Sequence, residues 1–378
     1  MAAARKVLIV GGGPAGLCAA TVLNKGGIEA EIIEINEDLR PLGSGLTMVG
    51  PTLRALRMVD EEALDRCIRE GAGHPALSFC TVDGRVLERV EMAQMAGPEY
   101  PGGFGIMRPL FWGILAETAQ RAGTRIRTST TVRAIHQLEE AVQVELSDGS
   151  IASYDLLIGA DGLHSKVREL VFPDAPRPRL TGQTVWRAVV PRPADPGHDI
   201  AMYYGPRHKA GVNPVSDTHM YVFLVENTPE ITYPPREQWP AMIRSLLAEF
   251  GGIIGWARER MTDPEQIDRR PLQAILLPPP WYRGRVLLIG DAAHATTPHL
   301  AMGALIAIED AVVLGEVLQA HDDLKAALAE FMRRRFERAR IVVENSLQLG
   351  EWEKHPGDPA ADHAGLTNST YAAMAAPF

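Results

Sequence analysis

The apolar run Lys6-Val7-Leu8-Ile9-Val10 passes directly into Gly11-Gly12-Gly13-Pro14-Ala15-Gly16, and this junction constrains the chain more than any other segment. A short continuous apolar run reads as a parallel strand covered on both faces. Residues 17–23 supply a crossover helix, Lys25-Gly26-Gly27 ends it, and residues 30–35 form the next strand. Each glycine has a task. Gly11 makes the tight exit from the strand, Gly13 lets the backbone approach a pyrophosphate, and Gly16 lets the helix pack closely on the sheet. Pro14 and Ala15 belong to the same turn, which presents phosphates to the positive end of the helix. Glu34 closes the second strand, where a carboxylate accepts both hydroxyls of an adenosine ribose and disfavours a 2'-phosphate. A dinucleotide site follows, without a choice between FAD and NAD.

The rest of the composition narrows the class. A formal charge of -9 over 378 residues argues against nucleic acid as a partner. The run Arg333-Arg334-Arg335 lies among acids such as Glu330 and Glu337 and reads as a solvated helix face. No apolar run approaches the roughly 20 residues of a membrane span, and residues 6–10 lead into a glycine turn, not a cleavage site. Cys18, Cys67 and Cys80 show neither disulfide nor metal spacing, so a cytoplasmic protein is expected. His294 and His299 lack a third ligand, so no metal is expected. The assembly is expected to be a monomer or homodimer.

Two further segments separate the cofactors: Gly159-Ala160-Asp161-Gly162, followed by Ser165 and Arg168, and Gly290-Asp291-Ala292-Ala293-His294 after the strand at 286–289. Taken alone, either acid is equally a helix cap. In this order and spacing the three segments resemble the FAD-dependent aromatic hydroxylases of the para-hydroxybenzoate and salicylate hydroxylase type, the group A flavoprotein monooxygenases. The resemblance implies that FAD binds noncovalently, with Asp161 near the pyrophosphate, Asp291 on a ribityl hydroxyl and Arg108 near the ribityl and phosphate groups. It also implies that Pro298 sets a carbonyl beside the reacting edge of the flavin. The helix start at Gly303, Ala304 and Leu305 then faces flavin N1 and the C2 carbonyl, where its dipole stabilises the anionic reduced ring. The sequence departs from the family at Met302, usually Gln or Ser, and at Leu305, usually Asn or Gly. Backbone donors survive both changes.

The same resemblance implies an α/β fold: a Rossmann-like FAD-binding domain with an interleaved β-rich substrate domain and C-terminal helices. The expected boundaries are 1–72, 97–178 and 268–350 for the FAD domain, 73–96 and 179–267 for the substrate sheet, and a weakly specified tail at 351–378. Residues 186–190 resemble a strand of the salicylate and hydroxynicotinate hydroxylases, which nominates Arg187, Tyr203, His208, Pro214 and His299 as substrate-binding residues. Asn213 stands where that branch often has tyrosine. His299, Pro298 and His208 are the catalytic candidates; the alternatives are packing for His299 and an exposed loop for His208. The implied cycle uses NADH or NADPH as transient reductant and O2 as co-substrate, and a flavin C4a-hydroperoxide hydroxylates a small electron-rich aromatic. Epoxidation, oxidative decarboxylation and a non-catalytic flavin-binding ligand sensor remain open alternatives.

Overall fold

The computed structural model describes residues 2–39, 43–194 and 200–378. Its first sheet has six strands in the order Tyr282–Arg283, Val286–Leu288, Leu156–Gly159, Lys6–Val10, Glu29–Ile33, Arg125–Arg127. All neighbours but the first pair run parallel. Leu8, Ile9, Leu156, Leu157, Leu287 and Leu288 are fully buried, as strands covered on both faces require. Register is what matters for function. Val10 pairs with Gly159 and Gly159 pairs with Leu288, so the three glycine segments leave adjacent strands at one sheet edge. That edge is crowded: Gly11 has φ +110°, and a Cβ there would lie 2.4 Å from the Ala160 carbonyl oxygen.

The second sheet has seven strands, ordered Ile267–Ala274, Arg179–Pro191, His219–Asn227, Lys209–Pro214, Ile200–Tyr204, Ala76–Cys80, Val86–Glu91. Side chains alternate between its faces. Trp186, Ala188, Tyr203, Ala210, Val222 and Leu224 pack under the helices Trp239–Leu246 and Gly252–Arg258 through Ile243, Phe250 and Ile254. Arg187, Lys209, Asn213 and Tyr221 have the opposite parity, and Tyr221 reaches Thr47 of the cofactor half. Ile267–Ala274 pairs along Arg179–Pro191 and belongs to this sheet. The boundary expected at 268 therefore falls too early, because residues 267–274 supply the sheet with an edge strand before the chain returns.

The expected tail is also corrected. The helix Leu324–Lys354 runs past 351, and His363–Ala375 forms a further helix capped by Asp362, which accepts from Gly365 N at 2.8 Å. Arg54 donates to the Ala375, Met374 and Ala376 carbonyls at 2.6, 3.0 and 3.0 Å, and Arg338 reaches Met374 O at 3.2 Å. Guanidinium groups at a helix C-terminus satisfy carbonyls that lack intrahelical donors and complement the dipole. Arg54→Ala is therefore expected to cost about 1–3 kcal/mol in denaturant unfolding and to speed hydrogen exchange within 363–375. Unchanged exchange there would mean that other contacts hold the helix.

Candidate active site

The helix Pro14–Lys25 begins at Gly13 with no side-chain cap and no acid in its first turn. A Cβ added at Gly13 would meet nothing within 4 Å, so its amides open onto free space. This is the arrangement that takes a phosphate. Ala15 is buried, and its Cβ would sit 2.8 Å from a Cβ at Gly290, which packs the first segment against the third. Glu34 Oε2 accepts from Gly12 N at 2.8 Å, and Oε1 accepts from Asn36 N at 2.9 Å. The carboxylate is thus held at the rim of the turn.

The two motif acids have different occupations. Asp161 accepts from Ser165 Oγ at 2.5 Å and from Lys166 N and Val167 N at 2.6 and 3.0 Å, so it binds the first amides of Lys166–Val171, whose N-cap is Ser165. Arg168 in that helix donates to Ala292 O at 2.8 Å and ties the second segment to the third. Asp291 makes no hydrogen bond or ion pair among the described residues and is exposed within a recess. The recess raises its pKa, against the pull of His294 and Arg108. Arg108 Nε is buried without a partner among the described residues. Burial, then Arg187 and Arg270, push that guanidinium down to about 10.

Beneath Asp291 lies a closed charge cluster. Asp310 Oδ2 accepts from Gly290 N at 2.9 Å and lies 2.6 Å from His294 Nε2, while Oδ1 accepts from Arg335 Nε at 2.8 Å. Arg335 also donates to Glu309 Oε2 at 2.5 Å and to Ile306 O at 3.0 Å. Arg335, Glu309 and Asp310 are fully buried. Burial raises the Asp310 pKa, but His294 and Arg335 outweigh it and hold the carboxyl below its ordinary value.

From this platform the chain forms the turn Pro298–Leu300, places Ala301 in the left-handed region at φ 55°, and starts the helix Gly303–Ala320. That start also lacks a side-chain cap and a first-turn acid. Met302 and Leu305 are fully buried in the main core. Their departure from the family pattern therefore changes core packing, while the Gly303, Ala304 and Leu305 amides stay at an open helix start. Two uncapped helix starts, an unpartnered carboxylate and an orphaned guanidinium nitrogen fit FAD.

The substrate candidates divide. Arg187 lies on the sheet face toward the cofactor half, mostly buried, with Nη1 3.9 Å from Asp268 Oδ2. Tyr203 is corrected: it is fully buried on the far face, edge-on to Phe250 at 6.4 Å, because it shares the parity of Trp186. His208 is corrected as well, both as catalyst and as substrate contact. Its Nδ1 lies 2.9 Å from Glu249 Oε1, which fastens the hairpin to the covering helices. Pro214 is buried at the sheet junction, its carbonyl closing on Gly105, where a Cβ would come within 2.0 Å. The His299 side chain is 1% exposed, with Nδ1 2.9 Å from Thr297 Oγ1 and Nε2 3.3 Å from Glu353 Oε2. Both ring nitrogens face protein, which places it as a packing residue instead of a substrate contact.

Tyr221 was missed. Its hydroxyl lies 2.6 Å from Thr47 Oγ1, which accepts from Asn213 Nδ2; Asn213 Oδ1 in turn lies 2.7 Å from His74 Nε2. Tyr221 also acts on the charge of Arg187, so the two share one wall. Its parity follows only from the pairings Val189 with Tyr221 and Tyr221 with Asn213, which the sequence does not display.

Asp291→Ala is expected to weaken FAD at least about tenfold without unfolding the protein, since one charge-assisted hydrogen bond is worth roughly 1.5–3 kcal/mol; fluorescence titration with FAD checks this. Asp310→Asn is expected to cost about 3–5 kcal/mol in urea unfolding, because Arg335 loses a buried partner. The Asp310 contribution is fully present above the unfolded carboxyl pKa of about 3.9 and is lost as pH falls through the lower folded value. The acid limb of the unfolding profile should flatten in Asp310→Asn.

A family model described as an FAD binding domain matches residues 4–346. The 2-heptyl-3-hydroxy-4(1H)-quinolone synthase of Pseudomonas aeruginosa is 32% identical over 352 residues, 92% of this chain and 90% of that protein. An FAD-dependent urate hydroxylase of Klebsiella oxytoca is 29% identical over 357 residues, 89% of this chain and 88% of its own. Among solved structures, HpxO of Klebsiella pneumoniae complexed with FAD and uric acid superposes with a TM-score of 0.82 at 24% identity, covering 98% of this chain and 92% of that one. The match runs through all three glycine segments, and the chain belongs to the FAD-dependent aromatic hydroxylase family and is an FAD-dependent monooxygenase.

Proposed function

We propose that this enzyme hydroxylates a small electron-rich aromatic of the phenol, hydroxybenzoate or hydroxypyridine type, with NADH or NADPH as transient reductant and O2 as co-substrate. The observation that carries the reading is that Arg187 and Tyr221 share one face of the seven-stranded sheet, the face that meets the cofactor half at Thr47. FAD held by these residues would supply the redox chemistry, in which two electrons from NAD(P)H and one O2 put one oxygen atom into the ring and release the other as water. The chain's own residues do the rest. Glu34 and Asp291 hold the two ends of the cofactor, and the amides at Gly303, Ala304 and Leu305 stabilise negative charge at the pyrimidine edge. Pro298 would contribute a main-chain carbonyl beside that edge. Arg187, whose ion-pair partner among the described residues is Asp268 at 3.9 Å, favours the deprotonated form of a phenolic substrate. Thr47, Asn213 and His74 fix the orientation of the Tyr221 hydroxyl.

The single dinucleotide fingerprint supports a nicotinamide that visits without a domain of its own. Names of relatives, urate hydroxylase and 3-hydroxybenzoate 6-hydroxylase among them, support a flat, hydroxyl-bearing ring. Three buried, unpaired cysteines support a reducing, cytoplasmic setting. Among the described residues, no helix is long and apolar enough to cross a membrane.

A panel of phenols, hydroxybenzoates and hydroxypyridines is expected to contain a compound that accelerates NAD(P)H oxidation and leaves with one added oxygen atom by mass spectrometry. With it, Arg187→Met should keep FAD and reductant oxidation but divert oxygen to peroxide. Misplacement by about 1 Å can cost roughly 100-fold in transfer. His208→Ala should remain coupled. Coupled turnover by Arg187→Met, or uncoupling by His208→Ala, would reverse the assignment of the two faces.

A further inference from the structure

Glu353 lies in the last turn of Leu324–Lys354 and joins three segments remote in sequence. One carboxylate oxygen accepts from Lys209 Nζ, at the start of the strand Lys209–Pro214, and the other lies 3.3 Å from His299 Nε2. The Lys209, Glu353 and His299 side chains are 11%, 15% and 1% exposed. The imidazole rests on Gly350, where an added Cβ would stand 3.0 Å from His299 Cε1, so the long helix offers bare backbone to the ring. The same turn is stitched to the substrate sheet again: Lys354 Nζ donates to Thr181 O at 2.8 Å, and Asn227 Nδ2 to Glu353 O at 3.5 Å.

Burial and the neighbouring charges set the charge states. Burial raises the Glu353 pKa, but Lys209 and His299 outweigh it and hold the carboxyl at about 2, while burial keeps His299 below its ordinary value. At neutral pH a carboxylate therefore faces a neutral imidazole. Nδ1 shares a hydrogen bond with the Thr297 hydroxyl, and Nε2 lies 3.3 Å from the Glu353 carboxylate. A His so placed is held by protein on both sides. A buried ion pair contributes little net stability, since desolvation offsets its attraction, yet it tolerates few alternative geometries because either charge left alone is costly.

We propose that Glu353 is a positioning residue: through His299 it sets where the Pro298–Leu300 turn stands beside the flavin, and through Lys209 it ties that placement to the docked substrate sheet. The proposal rests on the reading that this turn borders the cofactor. Its test follows the turn directly, without turnover.

The test compares wild type with Glu353→Gln, Lys209→Met and Lys209→Arg, each as the full chain loaded with FAD. Backbone hydrogen exchange is read by mass spectrometry in residues 296–303 and, as a reference, in residues 6–25, together with the visible flavin spectrum. Glu353→Gln and Lys209→Met are expected to exchange about tenfold faster or more in 296–303, with 6–25 unchanged and the flavin bands shifted. Lys209→Arg, which keeps the charge, should match wild type. The proposal is overturned if 296–303 and the spectrum stay unchanged in both charge-removing variants. It is overturned equally if loosening spreads to 6–25, or if Lys209→Arg is as loose as Lys209→Met. Should Glu353→Gln fail to fold, the two Lys209 variants decide alone. A wild-type chain that takes up no FAD would defeat the hydroxylase reading, while the exchange comparison still reports on the turn.

Discussion

One carboxylate, that of Asp310, holds the cofactor edge together. It accepts from the Gly290 amide and from Arg335 and lies against His294, so one side chain joins the third glycine segment, the helix Gly303–Ala320 and the helix Leu324–Lys354. The group is fully buried, where water cannot replace a missing partner. Such clusters contribute more to a unique geometry than to net stability. Asp291 is the beneficiary: its backbone is fixed from below while its carboxylate is left free. The adjoining acids Glu309 and Asp310 are thus committed to the buried cluster, while the Asp291 side chain has no protein partner among the described residues.

The second determinant is parity. In the seven-stranded sheet a residue serves either the helical cover or the cofactor half, and a shift of one position exchanges the roles. Tyr203 and Tyr204 are neighbours, yet Tyr203 is fully buried under the cover and Tyr204 is 52% exposed. Arg187 and Tyr221 fall on the useful face because Val189 pairs with Tyr221 and Arg187 pairs with Phe223. The proposed substrate wall is therefore made by register across strands and not by a motif.

This explains how much could be read from the chain. The strand-turn-helix units that carry Gly11, Gly13, Gly16 and Glu34 were legible because their geometry is local, each strand leading directly into its own turn. The return of the chain to the first sheet was legible because the third glycine segment follows the β-rich insert. Tyr221 was not, since nothing near it in sequence reveals its pairing with Asn213. His208 misled for the same reason, its partner Glu249 being brought to it by the fold. The helix His363–Ala375 looked weakly specified because its docking depends on Arg54 and Arg338, far back along the chain.

The return of the chain at Val286–Leu288 also sets an order of events in biosynthesis. Strand Leu156–Gly159 pairs with Lys6–Val10 on one side, but its other neighbour is made only after the whole seven-stranded sheet has emerged. At ordinary rates of translation that interval is on the order of ten seconds. During it the nascent sheet presents an apolar open edge, with Leu157 and Ile158 as the surface that a stray strand or a chaperone would meet first. A chain whose three glycine segments leave adjacent strands must therefore carry the middle strand unpaired on one side until Val286–Leu288 is made.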